Sequence, residues 1–497
     1  MSTQRRTEAD AVVVGSGPNG LAAAVTLARA GLSVQVLESE DTIGGGARTL
    51  DLGLAPGIVH DICSAVHPLA LASPFFAAFD VRARGVRAIA PEASFAQPLD
   101  DQPAAIAWHD VERTAAGLGA DGLAWRAVMG TLAAHQDLIV ELSLGDKRSL
   151  PPALMTPRTL VAAPLFAALV GLQGTPAWEL PFRTERARAL LSGVAAHAIG
   201  RMPSLAMAAT SALLGTIAHG VGWPIPVGGS QAIMDTLAED LRAHGGTIHT
   251  GHRVRTWRDV PEATAVLLDT PADAAADILA NRLPRSLERQ LRRFPHGDAA
   301  AKVDFVLSGP VPWRDAEVGR AGTQHLAGNR AQMAASEAEV AAGRVPEHPM
   351  TLVSDPSVVD PGRIQGGLRP LWAYAHVPAG DTTDPTELVT AQIERFAPGF
   401  RDLIVASRGI SAARMPHHNP ALVGGDISMG HVTMYSMIAR PTAHWDPYRL
   451  AETGWYLCSS ATPPGPGVHG MAGWHAAQRV LRQEFGVREM PDLSPGA

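Results

Sequence analysis

The spelling G-x-G-x-x-G occurs twice in this chain. Gly15, Gly17 and Gly20 lie in "DAVVVGSGPNGLAAAVTLARAGLSVQVLE", and Gly465, Gly467 and Gly470 lie in "GWYLCSSATPPGPGVHGMAGWHAAQRV". Around the first, a short apolar strand, Asp10 to Val14, leads into the glycines. An alanine-rich helix, Leu21 to Ala30, follows, and a second strand, Ser33 to Glu38, ends in an acid. The first glycine permits a tight turn, the second lets a pyrophosphate approach the backbone, and the third lets helix and strand pack closely. The turn Gly17-Pro18-Asn19-Gly20 then presents a helix N-terminus, with its unpaired N–H groups and positive dipole end, to a phosphate. Glu38, with Ser39 beside it, stands where a carboxylate accepts hydrogen bonds from a ribose diol and repels a 2′-phosphate.

The second spelling follows a strand, Trp455 to Cys458, and precedes a helix, Met471 to Phe485. A second dinucleotide unit would need another strand carrying an acid after that helix, and the dozen residues after Phe485 give it no room. Both loops are therefore expected to serve one dinucleotide, with the closing helix aimed at something negative or electron-rich. His469, inside that loop, is a candidate acid–base group or a structural hydrogen-bond donor. His67, Trp372, Tyr374 and His376 read either as an aromatic and polar lining of a substrate pocket or as core. The adjacent His417 and His418 have no carboxylate or thiol at ligand spacing, so no metal is expected. Neither G-x-S-x-G nor H-E-x-x-H occurs, which leaves hydrolase readings without a nucleophile or a zinc site.

The 497 residues, 46% hydrophobic and 18% charged, suffice for two well-buried domains. A net charge of −7 argues against a nucleic-acid partner, whose phosphates call for a concentrated basic surface. Cys63 and Cys458 are far apart and form no C-x-x-C pair, which removes a thiol–disulfide relay and points to a cytosolic chain. No apolar export segment follows Arg5-Arg6, so no targeting peptide is expected. The apolar run "LVAAPLFAALVGL", Leu160 to Leu172, is broken by Pro164 and too short to span a bilayer. It reads as a buried helix, or as a greasy surface in peripheral contact with a membrane that supplies an apolar substrate. Oligomeric state is left open.

Directly after the ribose acid comes "DTIGGGARTLDL", with Gly45, Gly46, Ala47 and Arg48. It resembles the G-G-R-x-x-T pattern of FAD enzymes related to amine oxidases and phytoene desaturases. There the arginine meets the pyrophosphate and the glycines admit the flavin, so the resemblance implies FAD rather than NAD. The stretch "LCSSATPPGPGVHGMAGWHAA" resembles the C-terminal signature of the phytoene-desaturase-like FAD-dependent oxidoreductases, in an actinobacterial branch. "HDICSAVHPLA", "PVGGSQAIMDTLAEDLRAHGGTIHTGHRV", "WAYAHVP" and "NPALVGGDI" look family-like too, so the likeness runs from residue 11 to about 481. It implies that Ser460, Gly467, Val468 and Met471 meet the flavin and that Val254 places its backbone near the adenine. Pro466 departs from the family pattern where glycine is expected, removing an N–H donor and stiffening the loop. In related amine oxidases a lysine in a strand similar to "AAKVDFVLSGPVPW" holds a water against the flavin N5. Lys302 thereby gains a catalytic reading beside that of an ordinary strand-end cation.

The expected fold is α/β. A discontinuous Rossmann-type FAD-binding domain, glutathione-reductase-like or amine-oxidase-like, takes residues 1–75, 221–304 and 421–497. An α+β substrate domain takes residues 76–220 and 305–420. In the middle piece Ser230 caps a helix ended by Gly245-Gly246, and "TIHTGHRVRTW" alternates as a strand pair would. Residues 321–349 read as a polar surface helix. The implied activity is dehydrogenation of a small apolar organic substrate by hydride transfer to flavin N5, leaving a C=C bond, with oxygen or a quinone as reoxidant. A redox-neutral isomerase, a flavin amine oxidase and a non-catalytic prenyl-carrier-like scaffold are the alternatives. Only four tyrosines are available for an amine oxidase's aromatic cage.

Overall fold

A computed structural model describes residues 9–146, 156–451 and 454–496. Arg5, Arg6 and Lys147 lie outside the described residues. Strand Ala9–Val14 opens a parallel five-stranded sheet in the order Trp455–Leu457, Ala263–Leu268, Ala9–Val14, Val34–Leu37, Thr247–His249. Its central strands Ala9–Val14 and Ala263–Leu268 are apolar on both sides because helices cover both faces, while the edge strand Thr247–His249 is exposed. Ala11 and Val13 pack toward helices Pro18–Arg29, Gln231–Ala243 and Met471–Gln483, while Val12 and Val14 pack toward Ala272–Ile278 and Arg285–Arg293. Three separated parts of the chain thus build one Rossmann-type sheet.

The second sheet has seven strands, ordered Ile404–Ile410, Ala299–Leu307, Arg369–Val377, Thr351–Ser354, Thr323–Leu326, Ala93–Gln97, Ala105–Trp108. Its period-2 alternation separates two environments. Val303, Phe305, Leu371, Ala373, Ala375 and Val353 turn to one face, against Val389, Ile393 and Phe396 of helix Thr386–Phe396. The other face carries Lys302 opposite Tyr374, Asp304 opposite Trp372, and Ser354 opposite both Trp372 and Thr323. Helices between residues 111 and 219 complete this half, joined around Trp125, Phe182, Leu190 and Leu213.

Four sequence expectations change. Strand Ala299–Leu307 pairs wholly within the second sheet, so the boundary expected at residue 304 falls inside it. The segment after Thr247–His249 does not fold back as a second strand. Gly251 N–H donates to Glu40 O at 2.9 Å and His252 N–H to Glu38 O at 2.7 Å, which carries it along the acid-bearing loop instead. Residues 321–349 contain strand Thr323–Leu326 ahead of the shorter helix Arg330–Val340. Ser230 does occupy the N-cap of Gln231–Ala243, yet its hydroxyl makes no cap bond and donates to Ser64 O at 2.5 Å.

Candidate functional site

The two glycine loops meet. Gly473 on the closing helix lies so close to the opening helix that a Cβ there would stand 1.8 Å from Asn19 O. Between and beyond the loops runs one continuous cavity of about 1100 Å³. That exceeds the ~300–1,000 Å³ usual for a single small ligand and gives room for a dinucleotide together with a substrate.

At the opening end the backbone is laid bare. Gly15 adopts φ +101°, the left-handed region open to glycine, and a Cβ on Gly20 would stand 2.2 Å from Gly15 O. A Cβ on Gly45 would reach within 3.0 Å of Gly17 Cα, so the two glycine clusters approach backbone to backbone. Glu38 is buried beside them. Ser16 donates to its Oε2 through N–H at 2.9 Å and Oγ at 2.6 Å, and Glu40 N–H donates to Oε1 at 2.9 Å. Ser39 Oγ donates to Oε1 as well, at 3.1 Å, so the carboxylate's about four lone-pair sites are all engaged and a ribose diol would displace a serine hydroxyl to reach it. Arg48 is aimed by Nε–H to Gly45 O at 3.0 Å and by an Nη2–H bond of 2.5 Å to His418 O. Gly15, Gly17, Pro18, Asn19, Glu38, Ser39, Gly45, Gly46, Ala47, Arg48 and Val254 all line this end of the cavity. Gly20 does not, because its N–H donates to Asp269 Oδ2 at 2.9 Å. Bare glycine backbone, a guanidinium and a helix N-terminus as donors, with a carboxylate as acceptor for a ribose hydroxyl, are the groups that an FAD adenylate and pyrophosphate need.

Farther in, Ser460, Pro466, Gly467 and Val468 line the cavity, but His469 and Met471 do not. His469 is fully buried with both ring nitrogens committed to its own loop. Met471 N–H donates to Nδ1 at 3.0 Å, which leaves Nε2–H to donate to Gly465 O at 3.1 Å. Burial lowers its pKa to about 4, so it is neutral near pH 7. In place of the expected acid–base position, His469 holds the loop together. Met471 packs into the core among Leu21, Phe75 and Val480.

The far chamber takes its floor from the second sheet. Lys302, 2% exposed, lines it and forms an ion pair with Asp304. Trp372 and Tyr374 line it with ring centroids 5.6 Å apart at 30°. The Trp372 Nε1–H is buried without a partner, a donor left for whatever fills the chamber. His67 lines it too, its Nε2 bonded to Ser230 Oγ at 2.7 Å and its pKa lowered to about 4 by burial. His376 does not reach the cavity. It is fully buried against Glu337, Nδ1 to Oε1 at 2.6 Å. His418 is engaged with Ile62 O, and no metal-binding cluster of three ligands occurs among the described residues.

Sequence reading passes over several residues at the cavity. Asp269 ends strand Ala263–Leu268 as Glu38 ends its own strand, and the run "VLLD" was the available signal. Its carboxyl is partly buried at the cavity wall and pushed up to about 7, chiefly by desolvation, opposed by the Gly20 N–H bond and reinforced by the Glu38 charge. His197, after helix Glu185–Ala195, lines the chamber with Trp223 and pairs Nε2 to Nε2 with His325 at 3.1 Å. Burial lowers both pKa values, His197 to about 4, so the pair is neutral, with one ring donating and the other accepting. No local pattern announced it. Cys63 also lines the cavity as a thiol, pushed up to about 11 by burial.

Residues 13–79 match a family model described as an NAD(P)-binding Rossmann-like domain. A rat pyridine nucleotide-disulfide oxidoreductase domain-containing protein 2 is 24% identical over 96% of this chain and 94% of its own length. Putrescine oxidase bound to putrescine matches with a TM-score of 0.56 at 18% identity, over 96% of this chain and 99% of that one. Cyclohexylamine oxidase from Brevibacterium oxydans matches with a TM-score of 0.55 at 15% identity, over the same shares. Identities this low establish architecture: the chain has the two-part fold of these amine oxidases, a Rossmann-type half joined to a second, sheet-rich half.

Proposed function

We propose that the chain is an FAD-dependent oxidoreductase that dehydrogenates an apolar organic substrate, in the manner of phytoene-desaturase-like enzymes. The observation that carries this reading is the single cavity joining the glycine-loop cleft to a chamber bordered by Phe166, Val170, Leu213, Leu214, Met434 and Met437. Bound FAD supplies the acceptor for a hydride from a substrate C–H bond. The chain's own residues supply position and electrostatics. Glu38, Arg48 and the opening helix hold the dinucleotide, and Gly467 with Val468 shapes the wall beside it. Lys302, with its charge balanced by Asp304, puts a polar head in an otherwise greasy chamber. The neutral His197–His325 pair offers a proton site there without a buried charge. Oxygen or a quinone is the class of reoxidant.

The Trp372–Tyr374 pair favours a second reading, amine oxidation. Against it, the four carboxylates among the described lining residues, Glu38, Glu40, Asp269 and Asp277, all belong to the dinucleotide half, so the chamber has no counter-ion for a diamine. The apolar reading extends to the surface. Helix Thr159–Gln173 leaves Leu160 and Val161 80% and 56% exposed, and Ile438 lines the cavity while 63% exposed. No described helix is long and apolar enough to cross a membrane, so contact with lipid is peripheral in this reading. Sedimentation with liposomes checks that contact, and unaltered partition after Leu160→Ser with Ile438→Ser removes it. The main test is anaerobic bleaching of the purified protein's flavin by apolar lipids, polyenes and amines. Bleaching by an apolar hydrocarbon chain is expected. Bleaching by amines alone hands the site to the second reading, and a colourless protein that takes up no flavin sinks both.

A further inference from the structure

We propose that Asp269 belongs to the cofactor site and takes up a proton when FAD binds, so that FAD retention weakens as pH rises above neutrality. This rests on the FAD reading above. The carboxyl of Asp269 sits directly under the opening glycine loop: Gly20 N–H donates to Oδ2, and a Cβ on Gly17 would come within 2.7 Å of the same oxygen. The helix Pro18–Arg29 therefore already has a carboxylate group at its N-terminus. Of its first-turn amides Pro18 has none and Gly20 gives its own to Asp269, which leaves Asn19 to meet a phosphate. Asp269 lines the same cavity, so a pyrophosphate at this turn shares that space with it. Two anions so placed repel, and the carboxyl is the one that can take a proton.

The surrounding groups do not relieve the repulsion. From the neighbouring strand end Glu38 adds a second negative charge, and from the strand on the other side Cys458 is a buried thiol whose pKa is raised well above its usual value. The helix offers the Gly20 amide, and no cation among the described residues acts on the group. Burial has moved the carboxyl to about 7 in the free protein. Below that pH it is neutral with or without FAD, and affinity is flat. Above it the free protein must gain a proton to bind, so the dissociation constant climbs up to ~10-fold per pH unit until the raised pKa of the complex is reached.

Equilibrium dialysis of the full-length protein against FAD, from about pH 6 to about pH 8.5, reads this directly. The wild type is expected to be flat to near neutrality and then to weaken ~10-fold per unit. Asp269→Asn keeps an acceptor for Gly20 N–H but cannot ionise. It is expected to stay flat and to retain FAD at least ~10-fold better at the alkaline end. Calorimetry in two buffers of different ionisation enthalpy should count nearly one proton taken up per FAD by the wild type at that end, and none by Asp269→Asn. A flat wild-type profile, or a slope that survives in Asp269→Asn, overturns the proposal. Should that variant not fold, the wild-type slope and proton count decide alone. A wild type that binds no FAD even at about pH 6 overturns the FAD reading itself, and this proposal with it.

Discussion

The two glycine loops have the same spelling and different physics. In the opening loop the glycines clear a path to amide groups: the side chains they lack would strike Gly15 O and Asp269. The closing loop is built on shape. Pro466 lacks an N–H, His469 ties Gly465 O to the Met471 amide, and Gly467 at φ +138° turns the chain between them. The opening loop leaves the Asn19 amide for an anion, while the closing loop ties the Gly465 and Met471 amides back on itself and offers a wall. A shared motif therefore fixes where the backbone comes close to something, and the surrounding residues decide to what.

Gly473 joins the loops, and its substitution has the largest expected effect. Glycine to alanine in an ordinary helix interior gains ~1 kcal/mol. Here the new methyl would stand 1.8 Å from Asn19 O, so the overpacking cost, at the upper end of ~1–3 kcal/mol, wins. Gly473→Ala should melt lower and lose flavin; a higher melting temperature would show that the helices are not in this contact.

Next comes His469. Its folded pKa, about 4, lies below the unfolded value, so the unfolded chain binds the extra proton as pH falls through the unfolded pKa toward 4. Stability is full above ~6.5 and falls below it, by ~2 kcal/mol from this residue down to about pH 5. His469→Gln, which can both donate and accept, should flatten that part of the acid melting profile. Flavin reduction in the loaded fraction should keep its rate; a large slowing at full flavin content would return His469 to the chemistry.

The contrast also explains what could be read in advance. Strand, glycine turn, helix and terminal acid lie within about thirty residues at the N-terminus, so local pattern carried Gly15 to Glu38. The closing helix was legible for the same reason. The direction of the His469 side chain was not, because histidine fits equally well facing a ligand or its own loop. The chamber floor was the least legible part. Lys302, Thr323, Ser354, Trp372 and Tyr374 come from four strands, and only the register of those strands puts them on one face. His197 and His325 are 128 positions apart, and sequence spacing says nothing of their 3.1 Å contact.

A smaller effect is expected at Glu38. Glu38→Gln keeps the shape but alters the acceptor for Ser16 and for a ribose diol, and should weaken FAD binding by ~10-fold, or about 1.4 kcal/mol. Fluorescence titration checks it, and unchanged affinity would leave the opening loop holding only phosphate.

Pro466→Gly should do least, and it probes the comparison most directly. The substitution restores the N–H that the family pattern carries and frees the unfolded chain, so stability should drop by ~0.4–1 kcal/mol. If the closing loop acts as a wall, the new amide gains little, and the FAD dissociation constant should move by less than ~3-fold, about 0.7 kcal/mol. A tenfold tightening would mean that the closing loop accepts the cofactor through its amides after all. The two loops would then differ only in how many donors each offers, and the division between phosphate grip and ring wall would give way to a single kind of contact made twice.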